Sequence, residues 1–327
     1  MIFFCQKIKP VFIYATEDNK MFSSEILANF KEKKEIISNT TKIISCLAID
    51  IGERTISKYE NLVQAGEFIK NYFSKFGHNP IEEAYTVQSK KVYNIITEIK
   101  GYEEPEKIII LGAHYDTVPG TPGADDNGSA VAGLLEIYRL ASKFKFKKTI
   151  RFVTFTLEEP PYFQTDEMGS MVHAKGCKSR KENIELMICL EMLGFGSKKC
   201  EQKFPSDEFR KKYPPYGDYL AVVATPSMSR HVYDWKKRYN SHAKHKIYDL
   251  IAPASIRGID LSDHASFIKN GFPAIMITDT GFYRNSNYHQ CTDTADTINH
   301  EFLYHNIRNS FLALRDLLNS TDKNTGD

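Results

Sequence analysis

The chain has no apolar run approaching the ~20 residues of a helical membrane span, so no span is expected. It has no Cys-x-x-Cys pair, which excludes the usual structural zinc knuckle. Its six cysteines, at 5, 46, 177, 189, 200 and 291, have no spacing of a disulfide framework, which favours a reducing compartment. Cys189 lies inside an apolar run and is expected as a buried thiol. An excess of one charge is also missing. Lys and Arg number 43 against 41 Asp and Glu, and a formal net charge of +2 implies neither nucleic acid nor an anionic membrane as partner. The densest basic cluster, Lys143 to Lys148, reads as a solvated connection. The N-terminal MIFFCQKIKPVFIY has no basic stretch followed by a continuous apolar one, so a cytoplasmic location is the default expectation, with an exported form left open. Internal repeats and low-complexity segments are absent as well.

What is present is an ordinary globular composition: 327 residues, 42% hydrophobic and 26% charged, enough for one large α/β domain or two small ones. The most informative stretch runs from Lys107 to Glu136. It opens with Ile108-Ile109-Ile110-Leu111, which suits a strand buried on both faces. His114 and Asp116 follow at its end, two residues apart and therefore on one side of an extended chain. A loop with Pro119, Gly120, Pro122 and Gly123 leads to Asp125, Asp126 and Asn127. Ser129 is expected to cap a helix with Val131, Leu134, Leu135 and Tyr138 on its apolar face. A histidine and three carboxylates thus lie between a buried strand and a helix start, where ligands bind in open α/β sheets.

Before this stretch, residues 1 to about 40 are mixed and Lys-rich, and Ser38 to Thr41 reads as a helix break or start. A helix is expected over about Ser57–Phe76, ended by Gly77. Val92–Ile99 reads as a strand, with Gly101 opening a hairpin into the central strand. After the central helix come apolar strands at Thr149–Leu157, Leu186–Leu190, Tyr219–Thr225 and Pro273–Thr278. Helices are expected near Met168–Ala174, Met228–Tyr239 and Glu301–Leu318. Residues 197–218 and 240–258 read as loops or insertions that overhang a site. His242 and His245, among lysines on one helical face, read as surface residues. Alternating helices and strands predict a mostly parallel, mixed sheet flanked by helices on both faces. Four of its strands deliver polar residues at or beyond their C-terminal ends: His114 with Asp116, Glu158 with Glu159, Glu191, and His289 after a longer loop. In a parallel sheet these converge on one edge. Two histidines with several carboxylates suit zinc or another borderline divalent ion, and the excess of carboxylates fits two ions sharing a bridging group.

The series GAHYD, PGADDNGS, LEE, LEMLG, SDHASF and YHQCTDT, from about Cys46 to about Leu318, resembles the M28 family of zinc metallopeptidases. The resemblance implies a zinc-dependent exopeptidase-like α/β domain over 41–327, preceded by an N-terminal segment 1–40. It implies two zinc ions and aminopeptidase action on peptides with a free N-terminus. By the same resemblance His114 and Glu191 bind one ion, Glu159 and His289 the other, and Asp126 bridges them across a cis Asp126–Asn127 peptide. Glu158 is implied as the general base, Asp116 as the residue orienting His114, and Tyr288 as a hydroxyl on the oxyanion. Asp263 and His264 are implied behind the ligands or on the substrate side. The chain departs from the family in having Glu rather than Asp at 191. It departs again in the link Pro160 to Glu167 after the Glu pair, which bears on substrate preference. Asp166-Glu167 is a second acidic pair, but Glu158-Glu159 follows the strand directly. Two alternatives carry weight on the same fold. A single-zinc glutaminyl cyclase is disfavoured by His114 together with the Asp126–Ser129 context. A metal-dead binding module is disfavoured because all five ligand positions hold competent side chains.

Overall fold

The computed structural model describes residues 17–243 and 245–320, with side chains from Lys31 onward. In chain order the elements are α1 (Glu17–Ser45), α2 (Tyr59–Ser74), β1 (Ile81–Val87), β2 (Lys90–Ile99), β3 (Glu104–His114), α3 (Ala130–Ala141), β4 (Lys148–Phe155), α4 (Gly169–Ser179) and β5 (Asn183–Glu191). Then follow α5 (Asp207–Lys212), β6 (Leu220–Ala224), α6 (Ser229–His242), β7 (Ile247–Ile251), α7 (His264–Lys269), β8 (Ala274–Thr278) and α8 (His300–Leu318). The eight strands form one sheet in the order β1-β2-β4-β3-β5-β8-β6-β7. Its centre, β4-β3-β5-β8, is parallel throughout. Antiparallel pairings begin on either side, at β2 and at β6.

Alternation along β3 explains why the central strands are apolar at every position. Ile109 and Leu111 enter the core shared with α1, α2, α3, α6 and α8, while Ile108 and Ile110 enter the core shared with α4 and α7. All twelve residues of α3 are buried. A helix enclosed on all sides must pair its charges internally. Glu136 accepts hydrogen bonds from Arg139, from Tyr72 of α2 and from Asn39 of α1, which joins three helices at one carboxylate. No helix among the described residues is long and apolar enough to cross a membrane.

All six foreseen strands form, but several local expectations are corrected. α1 runs unbroken through Ser38–Thr41, and the Thr40 and Thr41 hydroxyls donate to the carbonyls of Ile36 and Ile37 within the helix instead of capping a new one. Ser129 does not cap α3. It ends a wide turn over Ala124–Ser129, and its hydroxyl donates to Asp125 instead. β2 does not form a hairpin with β3; it lies between β1 and β4. The chain after β2 crosses the start of β4, with Tyr102 N on Phe146 O and Glu104 N on Lys147 O. Only glycine fits the crossing, since a Cβ on Gly101 would stand 2.5 Å from Lys147 O. Two edge strands were not foreseen, β1 before the Gln88-Ser89 turn and β7 inside 240–258. Lys148 is not solvated: it is buried at the start of β4, with its ammonium on Glu185. His242 ends α6 and pairs with Asp316 of α8, and His245 lies beyond that helix.

Candidate metal centre

The parallel centre of the sheet brings four C-terminal strand ends to one edge. His114 is the last residue of β3 and Glu191 the last of β5, and the register that pairs Gly112 with Cys189 sets them level. Glu158 and Glu159 follow β4, and the chain leaving β8 returns to the edge at His289. Asp126 comes from the turn before α3, where the Asp126–Asn127 peptide is cis.

That turn is fastened from several sides. The Asn127 side chain donates to Leu190 O and accepts from Met192 N, spanning the end of β5. The Asp293 carboxylate accepts from the amides of both Asp125 and Asp126. The Asp125 carboxylate accepts from Ser129, Asn285 and Gly194. Below the preceding loop lies Arg54, fully buried, whose guanidinium donates to the carbonyls of Leu47, Gly52, Tyr115, Pro122 and Gly123. Its fork of donors is what lets one side chain bind five acceptors. Burial lowers the Arg54 pKa to about 10, with Asp116 and Asp293 acting in the opposite direction.

Within this frame the polar side chains converge. His114 Nε2 lies 3.4 Å from Glu191 Oε2, 3.5 Å from Asp126 Oδ1 and 3.7 Å from Glu158 Oε2. His289 Nε2 lies 3.2 Å from Asp126 Oδ2 and 3.3 Å from Glu159 Oε2. The two carboxylate oxygens of Asp126 therefore face different histidines. Three groups of donors lie close enough to share an ion: His114, Asp126 and Glu191; Asp126, Glu159 and His289; and His114, Glu158 and Glu159. Asp116 supports both sides of this arrangement. It lies against His114 Nδ1, and its two oxygens accept from the amides of Glu158 and Glu159. Ser262 donates to Glu191 Oε2 at 2.6 Å.

Burial makes this cluster electrostatically tense. It raises Glu158 well above the usual carboxylate range, raises Glu191, and lifts Glu159 to about 8 with Asp126 adding to the shift. Burial pulls against protonation of His289, but Asp126 and Glu159 outweigh it and raise that ring to about 10. Asp126 is held below the usual range by His114 and His289, although burial opposes this. Acids that hold protons because they are crowded out of water are the groups a cation would relieve. The backbone is strained at the same places. Leu157 (φ 56°) precedes Glu158, Met192 (φ 46°) follows Glu191, and His289 itself has φ 58°. Such conformations cost about 1–3 kcal/mol each and cluster at functional sites.

Tyr288 stacks on the His289 ring at 3.7 Å and lines the cleft in front of the cluster. Burial and the neighbouring Asp126 and Glu159 keep its phenol protonated. Most of the remaining wall is apolar, with Met192, Val223, Leu250, Ile256, Ile259 and Phe282, and Arg257, Thr278 and Thr280 are among its polar members. Both foreseen overhangs contribute, through Pro205 and Ile256. Asp263 and His264 do not line the cleft. They are fully buried at the start of α7, where His264 Nε2 donates to Ile259 O. They lie behind the cluster, where the Asp263 charge adds to the burial-driven upward shift of Glu158, and Ser262 is the residue of this segment that touches Glu191. Asp166 pairs with Lys175 at the surface, away from the cluster. Arg54, Asn285, Asp293 and Ser262 were not singled out by the sequence, and Asp125, which was, fastens the turn instead of joining the converging donors. Asp293 and Ser262 fall inside the quoted motifs, whereas nothing around Arg54 marks it.

The profile of "Peptidase family M28" matches residues 94–313. "Uncharacterized protein YfbL" of Escherichia coli is 37% identical over 269 residues, covering 80% of this chain and 82% of that one. "Probable aminopeptidase YDR415C" of Saccharomyces cerevisiae is 27% identical over 222 residues, 64% of this chain and 52% of that one. This chain therefore spans about half the length of that aminopeptidase-named relative. Among solved structures, BSAP, a zinc aminopeptidase from Bacillus subtilis, superposes with a TM-score of 0.68 at 14% identity, covering 87% of this chain and 95% of that one. A Porphyromonas gingivalis glutaminyl cyclase superposes with a TM-score of 0.62 at 21% identity, covering 86% and 98%. The family profile spans most of the chain and includes every converging residue of the cluster, and the protein belongs to peptidase family M28.

Proposed function

We propose that the protein is an aminopeptidase that removes the N-terminal residue of peptides with the help of two zinc ions. The mixed nitrogen and oxygen donors fit zinc. His114 and Glu191 would hold one ion, Glu159 and His289 the other, and Asp126 would offer one oxygen to each. Bound zinc polarises a carbonyl and lowers the pKa of water towards neutrality. The protein's own residues then have separate tasks. Glu158 takes a proton from the attacking water on a carboxylate oxygen and delivers it to the leaving amine nitrogen. The Tyr288 phenol donates a hydrogen bond to the developing oxyanion. Asp116 keeps His114 in one orientation. The apolar cleft excludes water and receives the side chain of the N-terminal residue.

The observation that carries this reading is the division of Asp126, Oδ1 towards His114 and Oδ2 towards His289. The test is metal analysis of the purified chain together with turnover of amino-acyl amides, their N-acetylated forms and peptides beginning with glutamine. An aminopeptidase cleaves the free amines and spares the acetylated controls. A lactam formed from N-terminal glutamine with one ion bound would instead mark a cyclase, and a metal-free inert chain a binding module.

A further inference from the structure

The turn between β1 and β2 stands beside the edge that carries the cluster. β2 is antiparallel to β4 with Ile95 opposite Thr154, so the same register continued brings Lys90 level with Glu159, beyond the end of β4. The turn, the segment 55–57 and the loop 160–162 enclose a hollow of ≈ 270 Å³. Glu159 lines both this hollow and the apolar cleft. Two recesses of different character therefore meet at one carboxylate of the cluster.

The second recess contains a fixed cation. Lys90 Nζ donates to Ile56 O at 2.8 Å and lies 5.1 Å from the centre of the Tyr59 ring. The Tyr59 hydroxyl in turn donates to Lys91 O. Gln88 Nε2 donates to Tyr162 Oη, which ties the turn to the opposite wall. Among the described residues the Lys90 ammonium makes no ion pair, and an ammonium has three donors to place. The acids of the recess are already engaged, Asp116 with two backbone amides and Glu159 with His289. The uncommitted charge facing the hollow is positive.

Hydrolysis at a peptide's N-terminus divides the substrate in two. With the N-terminal residue in the apolar cleft, a leaving portion directed past Glu159 would enter the second recess. We infer that this recess binds a carboxylate of the leaving portion, with Lys90 as the specificity-determining cation. The carboxylate is either the α-carboxylate of a very short peptide or an acidic side chain beside the scissile bond. This inference rests on the aminopeptidase reading above.

The test compares kcat/KM for leucyl-glycine with leucyl-glycinamide, and for leucyl-aspartamide with leucyl-asparaginamide, with leucine p-nitroanilide as a substrate that has no leaving-side carboxylate. A charge-assisted hydrogen bond predicts a preference of roughly tenfold for the charged member of at least one pair. The pair that shows it identifies the source of the carboxylate. Lys90→Gln should bring that ratio to about one, and Lys90→Arg, which keeps the charge, should retain most of it. Ratios near one for both pairs in the wild type, or a ratio that survives Lys90→Gln, would overturn the subsite alone. Failure to cleave any of the five, the anilide included, would overturn the aminopeptidase reading and the subsite with it.

Discussion

Glu158 and Glu159 are neighbours in sequence with different surroundings. Glu159 faces His289 and Asp126, while Glu158 stands near His114 and its carboxyl is held well above the ordinary range by burial. Replacing Glu158 with Gln keeps shape and removes the proposed base, so turnover should fall at least about 10²-fold with metal content near wild type. Glu159→Gln should lower metal content as well as turnover. Assays paired with metal analysis decide this, and the opposite pattern would exchange the two roles. Arg54 acts at a distance from the chemistry by holding the loop that carries Asp116 and leads to Asp126. Arg54→Met would leave five carbonyls without their donor, and urea unfolding should show a loss of at least about 3 kcal/mol. An unchanged midpoint would mean that the loop holds itself. Most of the convergent side chains were legible in the sequence because they sit at a strand end or a glycine-rich turn, whereas His289, in the loop well beyond β8, was legible through the YHQCTDT motif. Arg54 was not, because a buried arginine serving backbone carbonyls leaves no local pattern. Asp263 and His264 stood out as polar residues in a motif, but folding turned them inward and left Ser262 to reach Glu191.

At the level of elements, legibility followed burial. β3, β4, β5 and β8 lie inside a parallel sheet, and their unbroken apolar runs announce them. β1 is an edge strand with several exposed residues, and its IEEAYTV pattern is weak. β7 lies at the other edge and holds an ion pair between Asp249 and Lys236. The crossing after β2 departs from the expected hairpin because Gly101 signals a turn without signalling which strand the chain meets next. A Cβ there would fall 2.5 Å from backbone atoms of Lys147 and Lys148, which cannot swing aside like a side chain. Gly101→Ala should therefore destabilise the protein by about 1–3 kcal/mol, measurable as a lower urea midpoint with an unchanged slope. A neutral result would show that the start of β4 can shift.

For the whole molecule, the centre is a load of buried acid that the fold carries on its parallel edge. Glu158, Glu159 and Glu191 all have raised pKa values from burial, and within the three donor groups only His114 and His289 face them with compensating charge. A ligand that binds only the folded state adds stability by mass action, so stripping metal with a chelator should lower the melting temperature, and zinc should restore it. A melting temperature indifferent to both would argue against any resident ion. The division of Asp126 between two histidines makes a sharper demand. Zinc content should be measured at saturation in the wild type, Asp126→Asn, Glu159→Gln and Glu191→Gln. A shared centre predicts two ions per chain in the wild type, one retained in each glutamate variant, and weakened binding of both in Asp126→Asn. A wild type that saturates at one ion, or an Asp126→Asn chain that keeps two with undiminished affinity, would contradict it.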